Sequence, residues 1–107
     1  MSFTMQKGYP DYIGKRYAFC GNNVGPSSYL RSTGDALDDG QFQGQIDAVF
    51  VSESVSGTYF VRARPSAAGP RATWSLHWYV VSGGAEVADA VDLSAETVIV
   101  AGFGGRY

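Results

Sequence analysis

The chain has one cysteine, one histidine, no excess of base over acid and no long apolar run. Each scarcity removes a class of protein. A single thiol, Cys20, cannot close an internal disulfide, so this is not a disulfide-framed secreted module and it suits a reducing cytoplasm. Directly after Phe19, Cys20 reads as a small buried hydrophobe rather than a reactive thiol. A lone histidine, His77, rules out any two-histidine metal site and leaves one conceivable general base. With 8 Lys and Arg against 10 Asp and Glu the formal charge is −2, which lacks the basic footprint of a nucleic-acid binder. No apolar stretch reaches the roughly 20 residues of a membrane-spanning helix. The opening Met-Ser-Phe-Thr-Met-Gln-Lys lacks the charged-then-apolar layout of a signal peptide. The expectation is a soluble protein made in the cytosol that binds neither nucleic acid nor membrane.

What is present points to many short strands. At 107 residues the chain fits one domain, residues 1–107, and 45% apolar content with 14% aromatic residues is enough for a core. Its 14 glycines run from Gly8 to Gly105, as closely spaced tight turns require. The pairs Gly25-Pro26, Gly69-Pro70 and Gly83-Gly84 cut the chain into pieces too short for long helices.

Thr73 to Val81 carries the clearest pattern. Trp74, Leu76, Trp78 and Val80 alternate with Ser75, His77, Tyr79 and Val81, the period of a half-buried strand with two tryptophans facing the core. Gly57 to Arg64 sets Tyr59, Val61 and Ala63 on one face and Thr58, Phe60, Arg62 and Arg64 on the other. Asp47 to Glu53 leads into it through Ser54-Val55-Ser56-Gly57, a plausible hairpin connection, and Pro65 to Pro70 makes the next loop. These three segments predict an antiparallel meander. Flanking strands are expected at Ile13 to Cys20 and Glu96 to Gly102, with another at Phe3 to Lys7 and a short helix or turn within Gly84 to Ala95. Gly21 to Gly44 reads as a long polar connection, and residues 103–107 as a flexible end. Six or seven short strands in one chain predict an all-β fold, a small antiparallel β-sandwich or a small barrel.

Charge falls in blocks: Asp35, Asp38, Asp39, Asp47 and Glu53, then Arg62, Arg64 and Arg71, then Glu86, Asp89, Asp92 and Glu96. Blocks of opposite sign read either as solvated loops or as patches that meet on neighbouring copies or on a partner. No catalytic constellation emerges. A Cys20–His77 pair would need two strand residues to meet in space, and His77 is expected at a sheet surface or interface, opposite the tryptophans. The acidic run Gly34-Asp35-Ala36-Leu37-Asp38-Asp39-Gly40 lacks the alternating ligands and terminal Glu of a calcium loop. Gly102-Phe103-Gly104-Gly105 opens no helix, so it is no phosphate loop. No catalytic residue, cofactor or metal is expected, and seven tyrosines leave a carbohydrate-stacking surface as an alternative.

Three passages carry a resemblance. They are Gly14-Lys15-Arg16-Tyr17; then Gly25-Pro26-Ser27-Ser28-Tyr29 with Ser32-Thr33-Gly34-Asp35; then Ser75-Leu76-His77-Trp78-Tyr79-Val80 leading through Ser82-Gly83-Gly84 to Glu86-Val87-Ala88 and Asp92-Leu93-Ser94-Ala95-Glu96. In this order they resemble small structural proteins of tailed bacteriophages, some of them capsid decoration or cement proteins. The resemblance implies a non-enzymatic virion protein that bridges and stabilises major capsid proteins, with a tail or connector role as the variant. It implies no cofactor and supplies no binding residues. A coat subunit acts in many copies, so a homo-oligomer and a major capsid or other virion protein are the expected partners. The contacts are expected on the long connection and the chain ends, at Tyr29, Arg31, Asp35, Asp38, Asp39, Phe103 and Tyr107.

Overall fold

Alternating apolar residues in short runs bury one face only if a second sheet covers it, and that is the arrangement the chain adopts. The computed structural model describes residues 2–8, 11–13, 16–37, 45–66 and 73–105. Among these there is no helix, and eight strands form two antiparallel sheets packed as a β-sandwich. The strands are β1 (Ser2–Met5), β2 (Asp11–Ile13), β3 (Arg16–Val24), β4 (Asp35–Ala36), β5 (Gln45–Val51), β6 (Tyr59–Pro65), β7 (Trp74–Val80) and β8 (Thr97–Gly105). The larger sheet runs β1-β3-β8-β5, with β2 lying end to end with β1 along the same edge of β3. The smaller sheet runs β4-β7-β6.

The core lies between them. Tyr17, Phe19, Val98 and Val100 of the larger sheet face Val61, Leu76 and Trp78 of the smaller one, all buried. Leu37, Tyr29, Val87 and Leu93 close the margins from the connections. Burying each such side chain contributes roughly 1.5–3 kcal/mol. Strand β5 bulges between Ile46 and Ala48, which presses the Ala48 carbonyl onto β8; a Cβ on Gly102 would sit 2.1 Å from that oxygen. Only glycine fits this approach.

The structure corrects several expectations. The meander holds only for its second half, since β6 pairs with β7 but β5 pairs with β8 in the other sheet. Residues 54–57 therefore pass between sheets rather than closing a hairpin, with the Ser54 N–H bonded to Tyr59 and the Val55 N–H to Thr97. Ile13 to Cys20 is split between β2 and β3, which pair with each other. The long connection is shorter than Gly21 to Gly44, because Gly21 to Val24 complete β3 and Asp35–Ala36 form β4. Its middle is bound down: Gly25 N–H to Glu96, Tyr29 N–H to Val91, and Leu93 N–H to Pro26, at 2.8–3.0 Å. Phe103 is no loose end, since β8 pairs there with Ala18 on one side and Ala48 on the other. Residues 84–95 form a loop whose only strand pairing is the bridge from Glu86 to Tyr79.

Candidate functional site

Strand β7 carries a dense cluster of polar side chains. Its inner residues, Leu76 and Trp78, fill the core, and its outer residues, Ser75, His77 and Tyr79, lie opposite Arg64, Arg62 and Phe60 of β6. On its other edge the two-residue β4 is too short to pair with all of β7, so other groups complete the ladder. The Trp78 N–H donates to the Tyr29 hydroxyl at 3.0 Å, and the Trp78 carbonyl accepts from the Val87 N–H at 2.9 Å. Left unpaired, such buried groups would each cost roughly 1–3 kcal/mol.

These substitutes bring the loops over the outer face. Tyr29 donates its hydroxyl proton to Glu86 Oε2 at 2.7 Å, and His77 Nδ1 lies 3.1 Å from the same oxygen. Since a carboxylate only accepts, Nδ1 carries a proton, and Nε2 takes the Ser75 hydroxyl at 3.3 Å when the ring is neutral. His77 is only 6% exposed, which corrects the expectation of a surface histidine: it is on the face opposite Trp78, and the loops cover that face. Gly34 lies against the ring with φ of 66°, and a Cβ there would fall 2.8 Å from Nε2. Burial resists charge on Glu86, yet the hydrogen bonds from Tyr29 and His77, with the His77 and Arg64 charges, hold its carboxyl below the ordinary range. Burial and the Glu86 bond push the Tyr29 hydroxyl far above its ordinary pKa, so it stays protonated.

The order Ser75, His77, Glu86 has the connectivity of a nucleophile–base–acid relay. The same contacts act as a clamp between the loops and β7. The histidine is enclosed by Gly34, Tyr29 and Glu86, and the Trp78 amide nearby is already spent on Tyr29. The cluster ties residues 29–34 and 84–89 onto β7, and Arg31 reinforces it by donating to the Val87 and Glu86 carbonyls at 2.9 Å.

The outer face of the larger sheet is the opposite in character. Phe50 on β5 and Phe103 on β8 are 63% and 42% exposed with ring centroids 6.4 Å apart, and Ile99 is 48% exposed on the same face. Between them β8 carries only Ala101. No protein-family model, curated protein or solved structure matches the chain.

The residues expected to make contacts scatter across this architecture. Tyr29 is wholly buried, because its hydroxyl is needed at Trp78, and it offers no side chain to a partner. Asp35 is buried too, accepting from Asn23 Nδ2 at 3.0 Å, and burial raises its carboxyl above the ordinary value despite that bond. Arg31 is exposed, with its guanidinium bound to the 84–89 loop, and Phe103 is exposed on the larger sheet. Asp38, Asp39 and Tyr107 lie outside the described residues, and with Asp38 and Asp39 goes the second half of the acidic run weighed for calcium, residues 38–40. Among the described residues no group of three His, Cys, Asp or Glu is placed to hold a metal ion. Sequence reasoning missed Phe50 and Ile99. Their signal was alternation within β5 and β8, where each stands one place from a core residue.

Proposed function

We propose that the chain is a non-enzymatic structural protein of a tailed-phage virion, a decoration or cement subunit that stabilises the shell by bridging major capsid proteins. The observation that carries this reading is the rigid apolar face of Phe50, Ile99 and Phe103, built on strands paired within a five-stranded sheet. Exposed aromatics held on a sheet lose little entropy when a partner covers them, and Phe contributes large area on burial. Contiguous exposed apolar side chains mark interaction surfaces. The sequence resemblance supplies the particle, and a tail or connector position in the same particle would use the same face.

The decisive experiment adds purified protein to expanded capsids that lack it. Co-sedimentation at micromolar protein and a higher capsid melting temperature are expected, both removed by Phe50→Ser with Phe103→Ser. Wild-type protein that leaves capsids unbound and unstabilised sinks the reading. One observation favours a second reading, carbohydrate binding: Phe60 and Tyr79 stack at 5.2 Å beside Arg62 on the smaller sheet. A glycan-array signal lost in Tyr79→Ala would support that reading instead.

A further inference from the structure

Arg62 and Arg64 stand two residues apart on β6 and point to the same outer face, both exposed. One tyrosine holds both. The Arg62 guanidinium lies 5.7 Å from the centre of the Tyr79 ring, and Arg64 donates to the Tyr79 hydroxyl. Phe60 stacks on the same ring with an interplanar angle of 14°, which fixes the platform. Among the described residues neither guanidinium has a carboxylate within salt-bridge distance; Glu86, on this face, lies 3.1 Å from His77 Nδ1. Two like charges ordered in advance, beside a Glu86 carboxylate already bound by Tyr29 and His77, make a receptor for further carboxylates, because the guanidinium fork matches a carboxylate's two oxygens. Ordering them beforehand lowers the entropy that binding must remove from each side chain.

The counterpart is carried by the same chain. From Ala72 to Gly105 there is no Lys or Arg, while Glu86, Asp89, Asp92 and Glu96 all fall there. Asp89 and Asp92 are exposed on the loop that borders β7 on the side away from β6. Within one copy Arg64 acts on Glu86, which Tyr29 and His77 already engage, while no ion pair joins Asp89 or Asp92 to either arginine. We infer that Arg62 and Arg64 of one copy receive the Asp89–Asp92 loop of a second copy in a head-to-tail contact. With each copy's loop on one neighbour and its arginines on another, the contact is heterologous and propagates into a ring or an open row of subunits. It uses the face opposite the apolar one, leaving Phe50 and Phe103 free for another partner. The inference needs no capsid and stands apart from the virion reading.

Sedimentation velocity of the chain alone tests it. Association that grows with protein concentration is expected at about 20 mM salt and is lost at about 0.5 M, where screening shortens the Debye length to a few ångströms. The Arg62→Glu/Arg64→Glu variant loses the receptor, and the Asp89→Asn/Asp92→Asn variant loses the ligand charge. Each alone should sediment as a monomer, with association weakened at least about tenfold. Asparagine keeps an acceptor for the bonds that Asp89 and Asp92 make to Arg31 and Ser94, and thermal melts of both variants check that they fold. Mixed in equal amounts, the two variants still offer one intact contact, the loop of the first on the arginines of the second. The mixture should form dimers and nothing larger. A wild-type monomer at all salt concentrations, or folded variants whose mixture stays monomeric, overturns the inference. So does a wild-type monomer whose melting temperature rises with inorganic phosphate only when the arginines are present; that result would assign the site to a free oxyanion.

Discussion

The two outer faces of the sandwich differ although both are made of regular antiparallel strands. The larger sheet sandwiches β8 between β3 and β5, so its central strand is paired on both edges and no loop among the described residues is drawn over it. Its outer face stays open, with Phe50, Ile99 and Phe103 exposed. The smaller sheet cannot do this, because β4 has two residues and β7 has seven. The missing partners come from Tyr29, Ala85 and Val87, and the loops that carry them seal His77. Which face is covered is decided by where backbone groups still need partners, and hydropathy comes second.

The strongest test of this comparison removes one oxygen. Tyr29→Phe leaves the Trp78 N–H and the Glu86 carboxylate without the hydroxyl, at a cost of about 2–3 kcal/mol. For a domain of this size that lowers the melting temperature by roughly 10 °C or more. A shift of a degree or two would mean that the hydroxyl does not complete the ladder. Gly34→Ala should cost about 2 kcal/mol, since alanine must accept a left-handed backbone and press on His77. The matching change on the open face, Phe103→Ser, should stay within about 1 kcal/mol in a chemical denaturation series. Equal losses on both faces would erase the distinction.

Acid sharpens it further, because the half-buried Glu86 and the buried Asp35 respond in opposite senses. Glu86 has a depressed folded pKa, so its stabilising contribution is complete above the ordinary carboxylate value of about 4.3 and is lost as pH falls through the depressed one. Unfolding free energies across this range should converge for wild type and Glu86→Gln at the acid end. Asp35 has a raised folded pKa, so its contribution is present below the ordinary aspartate value and is lost as pH rises through the raised one. Asp35→Asn should therefore stabilise the neutral-pH protein by about 1 kcal/mol, helped by an amide N–H for the buried, partnerless Oδ1 of Asn23. A loss of stability at pH 7 would show that the charge on Asp35 is needed.

Much of the fold was legible because strands with one buried face write a period of two into the sequence. The β7 pattern put Trp78 and Leu76 inside and His77 on the other side, and β6 put Phe60, Arg62 and Arg64 together. Pairing was not legible. Nothing in the run from Asp47 to Glu53 says that it joins β8 rather than β6, because the same alternation serves either neighbour. The site failed for a related reason. Tyr29 and Asp35 stand in a Gly-, Ser- and Asp-rich stretch that looks solvated, and each is buried by a partner distant in sequence, Trp78 for one and Asn23 for the other.

By itself the sequence determined the class: all-β, with one histidine, one cysteine and a formal charge of −2. These follow from composition and local period, which need no knowledge of what lies across the core. Only the tertiary structure decided which apolar residues remain outside and which polar ones go in. Phe50 and Phe103 are exposed because no third layer among the described residues covers their sheet, and Tyr29 and His77 are buried because a short strand left a gap on β7 that the Tyr29 and Glu86 segments fill.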